Sequence, residues 1–484
     1  MHDVIIIGAG AVGSFIARSL SAYKLHTLVI EKETDVGDVT SMANSAIAHS
    51  GYDPVPGTNK AKFNVLGNKM MPEVCKDLDV EFEMNGTLTL ALYEEQLPML
   101  KELSERAKQN GVEARILSPE EVLEREPNIT KNVKGALFCP TGGIVNPFTL
   151  TSHAMENAMD NGVELHLMEA VLNVEDKGDY FIVKTNKAEY EAKVVINAAG
   201  LSSDKFAKMM DDITWHITPR KGQYYVLNHF DKDLPGKKFV NAVVFPLPSE
   251  KGKGILVSRT TSGNYIVGPS SEPVDDIADV STDSMTLANV KAQATAMVPG
   301  IPFGEQIRVY AGNRSTPSNH DFIIEPSKNH PHFINVAGIE SPGLVSSPAI
   351  GEYVAKELVY PILKPEKNPN FKKTIKPYIK PLNLSLEERN ALIKKNPDFG
   401  EMVCNCERVS LGEIEDALNR SLPCMTVKAL KKRTRAGFGK CQGGFCQPNV
   451  IRLLAERYGV EPMEVLYDKA DSEIVLSKAT KGAK

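Results

Sequence analysis

The chain has 484 residues, 42 % of them apolar, with a net charge of −5 and a pI near 6.1. That length fits two or three domains with ample core, and the charge balance excludes a general attraction to nucleic acid or acidic membranes. No signal peptide precedes the first predicted strand and no apolar run reaches spanning length, so a soluble, cytoplasmic protein is expected.

The first predicted strand is the apolar run Val4-Ile5-Ile6-Ile7, too short for a helix. It is followed at once by Gly8-Ala9-Gly10-Ala11-Val12-Gly13 and a helical stretch to about Tyr23. A buried strand, a tight turn at Gly8, Gly10 and Gly13, and a helix N-terminus are what a pyrophosphate needs, because helix N–H groups and the dipole favour the anion. A second strand, Leu28-Val29-Ile30, ends in Glu31, where a carboxylate can accept hydrogen bonds from an adenosine ribose. Two later apolar strands, Val194 to Asn197 ending in Ala198-Ala199-Gly200 and Phe333 to Ala337 ending in Gly338, complete the pattern. Ser341-Pro342-Gly343 and a helix-like run from Ser346 to Leu358 follow, with Gly343 and Leu344 just ahead of that helix. A sheet drawing strands from three distant parts of the chain, with a late helix N-terminus available to a flavin carbonyl, suits an extended FAD better than NAD.

Residues 213–322 carry short alternating runs, Gln223 to Leu227, Ala242 to Phe245, Gly254 to Val257 and Asn264 to Val267, which predict an antiparallel sheet over the flavin. Lys364 to Lys380 is dense in lysine and proline and reads as an extended, solvated linker. Ser385 with Glu388 and Ser410 with Glu413 are capping boxes for helices to Lys395 and Asn419, and a basic helix from Thr426 to Arg435 comes next. Pro448 starts a last helix ending at Gly459.

Seven cysteines is an odd count. Cys404, Cys406, Cys441 and Cys446 form a C-x-C and a C-x4-C pair, whose thiolates suit an iron–sulfur cluster or zinc. Zinc modules rarely use C-x-C, which favours [2Fe–2S]. Glycines at 437, 439, 443 and 444 let backbone N–H groups turn toward cluster sulfurs. Cys75, Cys139 and Cys424 show no spacing logic and are expected as buried, reduced thiols.

Residues 1 to about 365 resemble the glycine-oxidase/D-amino-acid-oxidase superfamily of FAD oxidoreductases. Within them Thr40 to Asp53, with Ser41, Asn44, Ser45 and His49, is similar to the flavin-site segment of type II glycerol-3-phosphate oxidases and dehydrogenases. Residues 398–465 resemble the bacterioferritin-associated-ferredoxin type of [2Fe–2S] domain, whose free-standing members usually have two residues inside the second pair rather than four. The resemblance implies an α/β fold: a Rossmann-like FAD-binding domain (about 1–60, 150–212 and 323–365) interleaved with an antiparallel-β substrate domain (about 61–149 and 213–322). A linker (366–397), a small helical [2Fe–2S] domain and a tail (466–484) follow. It implies FAD contacts at the glycine loop, Glu31, Ser41, Asn44, Ser45, Ala199, Gly200, Gly338, Gly343 and Leu344. The implied reaction is oxidation of sn-glycerol 3-phosphate, with His49 as base, Arg314 on the substrate anion, and Lys253 or Arg259 as a second cation. Ser346 and Ser347 are read either as flavin contacts or as plain helix caps. Electrons then pass through the cluster to a redox partner protein, a flavoprotein or small electron-transfer subunit. The rival readings are a 2-hydroxyglutarate or amino-acid enzyme, and a C-terminal module that docks a partner around zinc.

Overall fold

A computed structural model describes residues 1–211, 213–231, 238–249 and 254–477. The first apolar run lies in the strand His2–Ile7, which is buried because parallel strands flank it on both edges, Thr27–Ile30 on one and Glu189–Asn197 on the other. Phe333–Ala337 joins the far edge of Glu189–Asn197, and Glu164–His166 joins Thr27–Ile30. The four expected strands therefore stand side by side, and Asn197 bonds Asn335 across buried strand ends at 2.9 Å. The helices Ala11–Leu20, Pro147–Asp160 and Gly343–Tyr353 cover one face. Gly8 sits at φ +102°, and a Cβ on Gly13 would fall 2.0 Å from the Gly8 carbonyl oxygen, so strand and helix can turn this tightly only with glycine at both places.

The expected substrate sheet is present. Its longest pair is Ile217–Leu227 against Gln306–Pro317, antiparallel over their whole length. One junction departs from the antiparallel expectation: Val243–Pro246 runs parallel to Thr87–Ala91. Those strands come from two separate excursions of the chain, so no hairpin dictates their direction.

The C-terminal helices Leu411–Leu418, Val427–Thr434 and Gln447–Tyr458 enclose a core of their own, with both expected capping boxes in place. The basic helix turns its cations inward. Arg433 binds Asp35 through two nitrogens at 2.7 and 2.9 Å, and Lys432 reaches Asp35 at 2.7 Å and Asp38 at 2.6 Å. Asp35 is fully buried and belongs to the loop after Thr27–Ile30. The two cations hold its carboxyl well below the usual range against the opposing effect of burial. Arg420 meets Glu156 at 3.0 Å, and Phe438 packs on Phe148 with centroids 5.4 Å apart.

The segment expected as a solvated linker is extended but stitched down. Asn368 donates to the Ala22 carbonyl (2.9 Å), Lys372 to the Asn161 side chain (2.7 Å) and Ile375 to the Asp77 carbonyl (3.2 Å). Tyr378 stacks on His153, with centroids 4.6 Å apart and planes 7° from parallel. Composition misleads here because two apolar side chains, Ile375 and Tyr378, anchor a stretch that is otherwise lysine and proline. The end of the predicted tail, from Lys478 on, lies outside the described residues.

Arg433→Met is expected to cost about 3 kcal/mol by removing the bidentate partner of the buried Asp35 and leaving Lys432 to hold it. Asp35→Asn combined with it should recover part of that loss in urea titrations. Burial holds His153 neutral, with its pKa pushed down to about 3. Its contribution is therefore complete above the unfolded value near 6.5 and is lost as pH falls from there toward 3. The melting-temperature gap between wild type and His153→Phe should narrow over that window.

Candidate active site

The carboxyl ends of the parallel strands open onto the glycine loop, as a nucleotide site in such a sheet requires. Glu31 is buried and accepts from the amides of Ala9 (2.8 Å) and Glu33 (2.9 Å). Burial raises its pKa. A carboxylate has about four lone-pair directions, so two remain for a ribose. Ser41 Oγ accepts the Ala11 amide at 2.9 Å, which places it at the helix N-terminus. Ala199 and Gly200 are half-buried at the end of Glu189–Asn197, and a Cβ on Gly200 would meet nothing within 4 Å, so the cradle is open there. Gly338 ends its strand in the left-handed region at φ +65°. The last helix starts at Gly343, three residues earlier than expected, followed by the half-buried Leu344. Ser346 and Ser347 consequently lie inside it and donate to the Pro342 (3.0 Å) and Leu344 (2.6 Å) carbonyls, so neither caps the helix. These groups fit an extended dinucleotide, with amides and hydroxyls along the loop and a helix N-terminus at the far end.

Residues 40–49 run from this cradle across the long strand pair. Thr40 donates to the Asn313 carbonyl (2.8 Å), Tyr310 to the Asn44 carbonyl (2.7 Å), and the hydroxyls of Ser45 and Tyr224 are 3.1 Å apart. The Asn44 side chain closes the turn itself, bonding Ser41 O and the Ala46 amide. His49 ends the segment, buried, with Nε2 3.2 Å from Ser341 Oγ. Asn64 (2.6 Å) and Asn68 (3.2 Å) donate to its backbone carbonyl and fix the ring's base. Residues 40–49, the long strand pair and the 338–344 turn thus converge on one place.

Arg314 lies on the strand-pair face that the 40–49 segment covers. Its Nη2 donates to the Ser270 carbonyl at 2.7 Å and passes over Gly222, where a Cβ would come within 2.6 Å of it. Directly opposite in the register stands Arg220, a residue that sequence reasoning missed. Arg220 Nε is buried and unpartnered, and neither arginine has an acid partner among the described residues. Like charges facing each other on one sheet face repel, and a bound anion between them removes the penalty. Tyr224 and Tyr310 stack beside them at 4.6 Å, and burial pushes both phenols up, so they serve as hydrogen-bond donors and not as bases. Nothing in the sequence pairs position 220 with 314, since the strands meet across a long excursion.

Two expected cations need separate treatment. Arg259 is buried and grips Glu83 with both terminal nitrogens, at 2.9 Å through Nη1, so its charge is already committed. Lys253 lies outside the described residues.

The four cysteines form two pairs. Cys406 and Cys441 have sulfurs 3.5 Å apart on the exposed side, while Cys404 and Cys446 are buried and hydrogen-bonded to each other. The Cys446 thiol donates to Cys404 and brings it down to about 6, helped by the amides of Gly437 and Glu407; Cys446 is correspondingly raised. The Gly443 and Phe445 amides point at Cys441. A tetrahedral zinc with Zn–S near 2.3 Å sets every sulfur pair about 3.8 Å apart. Here no three of these sulfurs lie within 4.8 Å of one another, and two separated pairs fit a two-iron cluster instead. Cys75, Cys139 and Cys424 are buried, and burial raises their thiols to about 12, 12 and 11. No helix among the described residues is long and apolar enough to cross a membrane.

Comparison with known proteins agrees with both sites. Residues 3–357 match the family described as FAD dependent oxidoreductase, and residues 402–456 match the BFD-like [2Fe-2S] binding domain. A glycerol 3-phosphate dehydrogenase from Caloramator mitchellensis is 45% identical over 98% of both chains. A glycerol 3-phosphate oxidase from Mycoplasma genitalium is 33% identical over 76% of this chain and 98% of its own. The structure of a dithionite-reduced L-alpha-glycerophosphate oxidase from Mycoplasma pneumoniae with FAD bound superposes with a TM-score of 0.73 at 30% identity, covering 78% of this chain and 99% of that one. The chain therefore belongs to the FAD dependent oxidoreductase family, as a member that carries a second, [2Fe–2S] domain at its C-terminal end.

Proposed function

We propose that the protein is an FAD-dependent glycerol-3-phosphate dehydrogenase, oxidising sn-glycerol 3-phosphate to dihydroxyacetone phosphate and passing the electrons through its cluster to a partner protein. The observation that carries the reading is the Arg220–Arg314 pair, two guanidinium groups without acid partners among the described residues, on the face reached by the His49 segment. Their planar forks match a phosphate's oxygens. The full-length similarity to the Caloramator dehydrogenase, cluster domain included, supports this substrate over 2-hydroxyglutarate, since an L-2-hydroxyglutarate dehydrogenase from Arabidopsis thaliana is 28% identical over 74% of the chain.

When bound, FAD supplies the two-electron acceptor and the cluster a one-electron relay. The protein's own part is positional and acid–base. Arg220 and Arg314 hold the phosphate, and Tyr224 and Tyr310 wall the site and exclude water. His49 Nε2 lies 3.2 Å from Ser341 Oγ; a substrate hydroxyl taking that serine oxygen's place would be in reach of Nε2, which removes its proton as the carbinol hydrogen leaves.

Anaerobic addition of sn-glycerol 3-phosphate should bleach the flavin rapidly, whereas L-2-hydroxyglutarate should not; the reverse pattern would overturn the substrate. His49→Asn should slow that bleaching by roughly two to four orders of magnitude with FAD still bound. Arg220→Ala should lower kcat/KM by about 10- to 100-fold, chiefly through KM, with Arg220→Lys recovering part of it.

A further inference from the structure

The two cysteine pairs differ in their surroundings. Cys404 and Cys446 face the protein, whereas Cys406 is exposed and Cys441 partly so. Phe445, one residue before Cys446, is 85 % exposed, an unusual place for a phenylalanine with no functional use. Two cations flank the exposed pair in sequence: Arg408, two residues past Cys406, and Lys440, just before Cys441. Arg408 is exposed and has no ion-pair partner among the described residues. The Lys440 side chain is 73 % exposed, its ion-pair partner among the described residues being Glu305 at 4.0 Å. The neighbouring acid is withdrawn: Glu407 is turned inside onto Arg435 at 2.7 Å, leaving positive charge on the outside. The Gln442 side chain also folds inward, onto the Phe438 and Gly439 carbonyls. What remains outside is one aromatic ring with cations beside a half-open pair of cluster ligands. An aromatic anchor with a charged rim is the composition of a protein-docking spot.

We propose that this face, centred on Phe445 and rimmed by Arg408 and Lys440, is the docking surface for a small acidic electron-carrier protein. The proposal rests on the reading that the cluster hands electrons to a partner. Each docking event moves one electron: the reduced cluster is oxidised by one and the carrier's cofactor is reduced by one, so two events discharge the pair taken from one substrate. Cys404 and Cys446 would hold the cluster's inner side and Cys406 and Cys441 its outer side, the one that a partner can reach.

The test uses the holoenzyme, its cluster reduced anaerobically with a limiting amount of dithionite, mixed with one of two high-potential c-type cytochromes, one acidic and one basic. Both are thermodynamically able to take the electron, so their rates report docking. The acidic cytochrome should oxidise the cluster faster at low salt, and its rate should fall at least about tenfold between about 10 and 300 mM salt. Phe445→Ala and the pair Arg408→Glu/Lys440→Glu should each slow it by about tenfold or more, with iron content, cluster EPR signal and flavin bleaching by glycerol 3-phosphate unchanged. Phe445→Leu should restore most of the rate. A basic cytochrome that reacts faster at low salt would overturn the proposal, as would wild-type rates in Phe445→Ala. If Phe445→Ala loses its cluster, the charge-reversal pair decides alone. If glycerol 3-phosphate fails to bleach the flavin while the cytochrome results hold, the substrate reading falls and the docking surface stands.

Discussion

Everything downstream of the flavin depends on one buried charge. Asp35 is fully buried and held ionised, and the cations that pair with it among the described residues, Lys432 and Arg433, belong to the cluster module. An isolated carboxylate in such a place costs several kcal/mol, so the flavin domain is not complete until that module is seated. The loop that bears Asp35 is also tied to the nucleotide site, because Gly37 donates to the Ala9 carbonyl and Glu31 accepts the Ala9 amide. One ion network thus holds the C-terminal module against the flavin domain and steadies the loop beside the glycine turn. A tethered, swinging electron carrier would need the opposite: an exposed, weak and screened contact.

The division of labour between the two sheets explains the shape of the active site. The parallel sheet offers backbone groups and the Glu31 carboxylate at its carboxyl ends. The long strand pair offers side chains, and its alternation puts Arg220, Gly222, Tyr224, Tyr310, Gly312 and Arg314 on one face. Glycine at 222 and 312 opens room between the rings and the guanidinium groups, room that Ala43 and the Arg314 side chain enter. On the proposed reading, cofactor and substrate anion would be held by different physics on surfaces that meet along residues 40–49.

Much of this was legible in the sequence, where local signals sufficed. The strand–glycine–helix–strand–acid order, the capping boxes at Ser385 and Ser410, and the spacing of the cysteines each encode their geometry within a few dozen residues. What was hidden is long-range. The partnership of Arg220 with Arg314 depends on register between strands some ninety residues apart, and the neutralisation of Arg259 by Glu83 crosses between the two excursions of the substrate domain. The basic helix Val427–Thr434 looks like a solvated face by composition and is instead buried, because its counter-charges lie near the other end of the chain. The lysine-rich segment misled in the same way, being pinned by two apolar residues that composition averages away.

The contact between Asp35 and Arg433 spans 398 residues of sequence. At about 5–20 residues per second, synthesis leaves the Asp35 loop waiting roughly 20–80 s for its partner. Both excursions of the substrate sheet emerge within that interval, yet the first nucleotide-binding loop stays under-supported until nearly the last helix is made. The C-terminal module therefore works as a closing latch on the chain's earliest-made structure. Loss of its last helices to premature termination or proteolysis would strip support from the cofactor site at the opposite end of the polypeptide.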